Sequence, residues 1–457
     1  MGERPRIATL MLAASAAWGL IGAPPARSAP GSPADGSIRT RSHLFGDWDG
    51  LRPWLKQHEV SIGAVESAVP SAILLGGIRQ GTSYAGLLAL SADAKLGPET
   101  GISGLSVHVT SWIVQGHGAS ANGAGSLSGL AYVAAQPGAR LGDAFLEWQA
   151  PHDAVRVKAG QFGLDENFDL NPDAGVFLNS TFTYRNIMAD QLPGGGPAYS
   201  YEGPGLMAGV QATPRLRLKA GIFSGDPLGQ PVQGPPPPAR DGNGIAVPLH
   251  TGVLAIAEGD WSYRLPGLGK GLFALGGLYD TLDRPDLLHA ANGQSLARPD
   301  AGPPRQDHGQ YVLYAADNQT LWRGRQGRKL RGFVRLAYAP PDRDLISFDV
   351  QGGLVAYGPI PSRPQDQAGF AVAYDRISRS YVTRIEQQNA LTGDATPVPG
   401  GETDIVLDYA AQVTPWLVVT PDIQYIINPG GGAPLPYDGN RAIPNALVAE
   451  TQLQVTF

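Results

Sequence analysis

Alternation of apolar and polar residues, repeated segment after segment, is the feature that most limits what this chain can fold into. In "LSVHVTSWIV" Val107, Val109, Ser111 and Ile113 stand against Ser106, His108 and Thr110. In "VRVKAG" Val155, Val157 and Ala159 stand against Arg156 and Lys158, and in "RLRLKAGIF" Leu216, Leu218, Ala220 and Ile222 against Arg215, Arg217 and Lys219. The same reading applies to "LISFDVQ", "TDIVLDYAAQV", "WLVVTPDIQYII" and the last segment, "NALVAETQLQVTF". A strand sends successive side chains to opposite faces, so each segment separates two different surroundings. A half-buried sheet of a soluble protein gives this pattern, and so does a transmembrane barrel with lipid outside and a polar lumen inside.

Three observations favour the barrel. The polar faces carry full charges of both signs. The apolar faces end in rings suited to membrane interfaces, such as Trp112, Trp148, Trp261, Tyr338 and Trp416. The sequence finishes on Phe457 at the end of an alternating segment, as expected of a last strand that closes onto the first. The expected fold is all-β: one antiparallel transmembrane β-barrel of about sixteen strands over 60–457, with a short helical segment at 46–59. Short turns at 151–153, 213–214 and 414–415 alternate with long loops at 117–142, 163–204, 224–248, 282–309, 378–402 and 428–444. The tight "PPDRD" turn at 340–344 is the exception on the long-loop side. A barrel of this size leaves an aqueous channel.

The first 28 residues have Arg4 and Arg6, an apolar run from Ile7 to Ala23 and small residues after it, the layout of a secretory signal peptide. An uncleaved N-terminal anchor is the alternative. Residues 29–45 read as a flexible leader. No later stretch reaches the roughly 18 apolar residues of a membrane-spanning helix. With 61 Gly and 40 Pro, long helices are disfavoured. A formal charge of −6 indicates no nucleic-acid partner, and the absence of Cys removes disulfides and thiolate chemistry.

Several stretches resemble the OprB-type carbohydrate-selective porins of Gram-negative outer membranes. They are "LFGDWDGLRPWLKQHEV", "RLGDAFLEWQ", "VRVKAGQFGLDENF", "FLNSTF", "LPGGGPAY" and "FSGDP", then "VRLAYAPPDRDLISFDVQGGLVAYGPIPSRPQDQAGFAVAYDRIS" and "DIVLDYAAQVTPWLVVTPDIQYIINPGG". The resemblance implies passive diffusion of sugars across the outer membrane, with no cofactor and no energy source; it does not imply which sugar, and glucose-like sugars are the expected substrates. It further implies outer-membrane lipid and lipopolysaccharide as surroundings, and recognition of the last strand by the barrel assembly machinery. Whether the barrel is a monomer or a homo-oligomer stays open.

A pore that favours sugars over ions needs a narrow waist with hydrogen-bonding groups of both charges. Candidates on inferred inward faces are Glu66, Asp93, His108, Glu147, Arg156, Lys158, Arg217, Lys219, Arg331 and Arg335. Arg79, between glycines, is expected to fold inward. The loop at 163–204, with Asp165, Glu166, Phe168, Tyr184 and Arg185, is the expected constricting loop. A general porin without sugar preference differs only at the waist. An enzymatic barrel would use His108 as base, yet no HExxH, Walker or G-x-S-x-G spacing occurs. A secreted lectin-like protein is the remaining alternative.

Overall fold

The computed structural model describes residues 37–229 and 241–457. The signal peptide expected at 1–28 and the proline run near 235 lie outside them. Sixteen antiparallel strands close into one barrel. The first eight are β1 (Val60–Leu75), β2 (Gly81–Lys95), β3 (Leu105–Gly116), β4 (Gly138–Gln149), β5 (Val155–Phe162), β6 (Gly203–Gln211), β7 (Leu216–Ser224) and β8 (Val253–Arg264). The others are β9 (Lys270–Asp280), β10 (Gln310–Arg323), β11 (Lys329–Tyr338), β12 (Ile346–Tyr357), β13 (Gln367–Ile377), β14 (Gly401–Thr414), β15 (Leu417–Ile427) and β16 (Ala446–Thr456). Closure is between β1 and β16, with Ala68 opposite Leu453 and Ala72 opposite Ala449. Every strand therefore has two partners, and no edge is left unpaired.

The two faces of the wall have opposite chemistry. Outside, Leu206, Leu218, Ile222, Leu313, Val334, Leu354, Leu407 and Ile423 are exposed. Inside, Asp349, Gln351, Asp404, Asp408, Asp422, Gln424 and Glu450 are buried. An apolar exterior around a polar interior is the arrangement of a barrel set in lipid. Trp148, Trp261, Trp322 and Trp416 lie near the short-turn end, whereas Tyr279, Tyr311, Tyr338 and Tyr425 lie near the other. Trp112 departs from the expectation. It points into the lumen, only 3% exposed, and packs edge-on against Tyr199 at 4.9 Å.

Glu66 also departs from it. Its cross-strand partners Leu88 and Val455 belong to the outer face, while Val65 and Ser67 beside it are buried on the inner one. Local alternation could not decide this strand, because small residues occupy both parities of "VSIGAVESAVPSAILL". Glu66 is removed from the candidates for the waist.

The described part of the leader is docked. The Leu44 amide donates to the Thr456 carbonyl at 2.8 Å, and the rings of Phe45 and Phe457 are 5.2 Å apart. The helix that follows is short, Leu51–Gln57, and Arg52 donates to the carbonyls of Ile62 and Phe457. This segment therefore sits against the β1–β16 seam at the short-turn end. On the opposite side, the 378–400 connection contains a helix, Arg379–Thr392, where the sequence reading expected a loop. Its signals were present: no Gly or Pro interrupts it, and Gly393 ends it at φ 76°.

Candidate functional site: two inward loops and the charged wall

Two long loops turn back into the barrel. The loop 117–137 is rich in Gly, Ala and Ser, and small side chains let its backbone lie close to the wall. Its buried amides then need acceptors, since an unpaired buried N–H is costly. Glu402 on β14 supplies them, accepting from the Ser126 hydroxyl at 2.7 Å and the Leu127 amide at 2.9 Å. It also takes the Gly430 amide at 2.6 Å, which ties in the 428–445 connection. Asp404, two residues further along, accepts from Ser128 and from Asn179.

The loop 163–202 is anchored by ion pairs. Asp169 accepts from Arg185 Nε at 2.5 Å and from Arg335 Nη2 at 2.8 Å. Arg185 Nη1 reaches Asp349 at 2.5 Å, so one loop arginine spans a loop carboxylate and a wall carboxylate. Farther along, Asp173 takes Arg331 Nε at 2.6 Å, the Tyr357 hydroxyl at 2.7 Å and Asn318 at 3.0 Å. Apolar packing accompanies the charges: Phe177 and Phe182 meet Phe333 at 6.0 and 6.1 Å. The amide of Asp169 itself donates to Glu258 on β8.

The loops also hold each other. The Tyr132 amide donates to the Leu178 carbonyl, and the Ser180 amide to the Gly129 carbonyl, both at 2.8 Å. Asn186 donates to Ser128 at 2.7 Å. Together the two loops form a collar braced on β8 and on β10 to β16, and the second loop also meets β3 through Trp112–Tyr199, β4 through Arg140–Ser200 and β7 through Lys219–Asn167. Asp165, near the start of the second loop and outside the strands, is buried, which pushes its carboxyl up to about 7 despite the Tyr199 amide it accepts.

Charge pairs of both signs occupy the wall of β2 to β8. Glu147 on β4 pairs with Arg156 at 2.7 Å and lies 4.0 Å from Lys158. The Lys158 ammonium sits 4.1 Å above the Phe145 ring. Lys219 on β7 lies between Glu258 and Asp260, and the Tyr314 hydroxyl donates to Glu258 at 2.7 Å. Asp93 pairs with His108 at 3.0 Å. Paired charges offer donors and acceptors for hydroxyls while their fields oppose one another.

The family model for the carbohydrate-selective porins of the OprB family matches residues 79–457. The chain belongs to the OprB family of carbohydrate-selective porins. Among curated proteins it is similar to Porin B of Pseudomonas aeruginosa, 26% identical over 337 residues, covering 70% of this chain and 68% of that one. Among solved structures it is similar to Pseudomonas putida OprB at high pH, with a TM-score of 0.81, 23% identity and coverage of 93% of this chain and 100% of that one. The low-pH structure of the same protein aligns with a TM-score of 0.55 at 18% identity, over 92% of this chain and 99% of that one. These likenesses agree with the sixteen-stranded fold, and family and fold point to a channel rather than an enzyme.

In this OprB-family barrel the sequence-expected residues fall into distinct places. Glu147, Arg156 and Lys158 form one cluster, and Asp93 with His108 another. Arg156 and Asp93 keep side-chain exposures of 35% and 30%. Arg331 reaches the second loop through Asp173. Arg335 does too, but it is 0% exposed, so it anchors the loop instead of lining the passage. Arg217 lies at the short-turn end beside Asp153. Arg79 is exposed in the connection 76–80, where its amide donates to Gly123 of the first inward loop at 3.1 Å. The acids that anchor the collar, Asp169, Asp173, Asp349, Glu402 and Asp404, were not foreseen as site residues. "TDIVLD" and "LISFDVQ" showed that Asp404 and Asp349 face inward, yet nothing local marks an inward acid as a loop anchor.

Proposed function

We propose that this carbohydrate porin admits small, glucose-like sugars by passive diffusion across the outer membrane of a Gram-negative bacterium. In this reading selection takes place where the two-loop collar faces the charged wall of β2 to β8. The observation that carries it is the collar itself: two inward loops, one held by buried ion pairs and the other by hydrogen bonds to Glu402 and Asp404, joined to each other inside a barrel wide enough for a channel. The wall opposite offers the partly exposed Arg156 and Asp93, with Glu147 and Lys158 buried behind Arg156, and hydrogen bonds from such groups to hydroxyls are individually weak enough for release. Lipid and lipopolysaccharide surround the apolar belt, the assembly machinery engages β16, and the barrel acts alone or as a homo-oligomer. Liposome swelling with glucose, a disaccharide and a trisaccharide tests this reading. Uptake is expected for glucose and to fall by about tenfold or more between glucose and the trisaccharide, as a sieve of one-sugar width requires. Equal rates for all three would support a general porin instead.

A further inference from the structure

The barrel wall is notched where the second inward loop begins. β5 ends at Phe162 and β6 starts at Gly203, and β4 meets β5 only from Ala144, opposite Gln161. Residues 138–142 of β4 therefore stand beyond the end of β5, and an open strand edge of this kind invites a partner. The connection that leads into β8 reaches it. The Leu141 amide donates to the Asn243 carbonyl, and the Gln161 side chain to the Gly244 carbonyl, both at 2.8 Å. From there the chain runs back along the outside of β5, β6 and β7. Just beyond β7 the Asp226 amide donates to the Thr251 carbonyl at 3.1 Å, so this strap is fixed at both ends. Between them, residues 247–250 make no hydrogen bond to the strands beneath, among the described residues.

The space so left is a groove of about 590 Å³. Leu141, Leu206, Ile222 and Val253 line it on the wall side, and Val247 and Leu249 on the strap side. Leu206 and Ile222 lie on the outer face, so the groove is continuous with the apolar belt. It sits at the long-loop end, since Ala255, two residues from Val253, stands opposite Tyr279 on β9. Alternation along the strap buries Pro248 and leaves Ile245, Val247 and Leu249 exposed by 66, 62 and 75%. Three aliphatic side chains displayed together on an outer wall mark a surface that meets lipid or protein. An apolar groove gives water few hydrogen-bond partners, whereas hydrocarbon from the adjoining belt can enter it.

We infer that this groove holds one acyl chain of an outer-leaflet lipopolysaccharide, clamped between the strap and the wall. Continuity with the lipid-facing belt selects a hydrocarbon occupant. Position selects the leaflet, because the long loops of an outer-membrane barrel are on the outside of the cell. The inference rests on the outer-membrane barrel described above and not on what the channel selects. A chain seated there holds the strap over the notch, beside the root of the second inward loop.

The test is native mass spectrometry of the full-length protein extracted from its own outer membrane in a mild detergent. The wild type is expected to retain one lipopolysaccharide per barrel. The variant V247N/L249N is expected to retain about tenfold less, because two aliphatic contacts are lost from the groove. The variant L407N, altered on the outer wall at β14, is expected to retain as much as the wild type. All three side chains are exposed, so neither variant threatens the sixteen-stranded wall. Phospholipid in place of lipopolysaccharide, no lipid at all, two barrels joined without lipid, or equal retention in the two variants would overturn the inference. Glucose block of ion current is measured on the same preparations. Its absence would overturn the sugar-selective reading and leave the groove standing.

Discussion

Replacing Asp169 by alanine is expected to open the channel. The carboxylate of Asp169 holds Arg185 and Arg335 together, and both guanidiniums are fully buried. Its loss leaves Arg185 with Asp349 alone and removes the one carboxylate in direct ion-pair contact with Arg335 among the described residues. Removing one partner of a buried ion pair costs about 3–5 kcal/mol, because the remaining charge stays desolvated. The barrel wall has its own continuous hydrogen bonding, so the loss falls on the loop 163–202, which leaves the lumen. Single-channel conductance is expected to rise by about twofold, as a wider lumen requires. Asp169→Asn keeps one acceptor for a guanidinium and is expected to lie between the two. Unchanged conductance in Asp169→Ala would show that the loop is held by its phenylalanines instead.

Glu402→Ala is expected to release the other half of the collar. Glu402 accepts from Ser126, Leu127 and Gly430, so a single side chain ties two connections to β14. Leaving a buried donor without its acceptor costs about 1–3 kcal/mol, and the amides of Leu127 and Gly430 lose theirs. The loop 117–137 is expected to become sensitive to added protease, with a gain in conductance comparable to that of Asp169→Ala. Because the loops are joined at Tyr132–Leu178 and Ser180–Gly129, the double variant should fall short of the sum of the two effects. Strict additivity would mean that the loops are held independently.

The wall was legible in the sequence because each strand states its own parity. Where one parity is charged, as in Arg156 and Lys158 or Asp404 and Asp408, the inward face can be read from a few residues. Where both parities are small, as in β1, it cannot, and Glu66 lies on the outer face, contrary to the expectation. Trp112 faces the lumen instead of the interface, because an aromatic ring in a strand has the same local signature in both places. The collar was half legible. The loop 163–202 carries Asp, Arg and Phe at a density beyond that of a solvated connection, which marked it as inward. The loop 117–137 is built mainly of small residues around a short buried apolar run at Leu130, Ala131 and Val133, and its place depends on Glu402, 276 residues from Ser126 in the sequence, so its partner could not be read from within it. The helix Arg379–Thr392 had local signals that a search for alternation passes over.

The measurement that bears most directly on the waist is single-channel conductance of the purified protein in a planar bilayer. It is titrated first with glucose and then with a non-sugar solute of similar size. Concentration-dependent block by glucose alone is the predicted result, since the paired charges facing the collar bind hydroxyls weakly and reversibly. A large current indifferent to both solutes would contradict the account and leave a general porin in which the collar narrows the lumen without selecting.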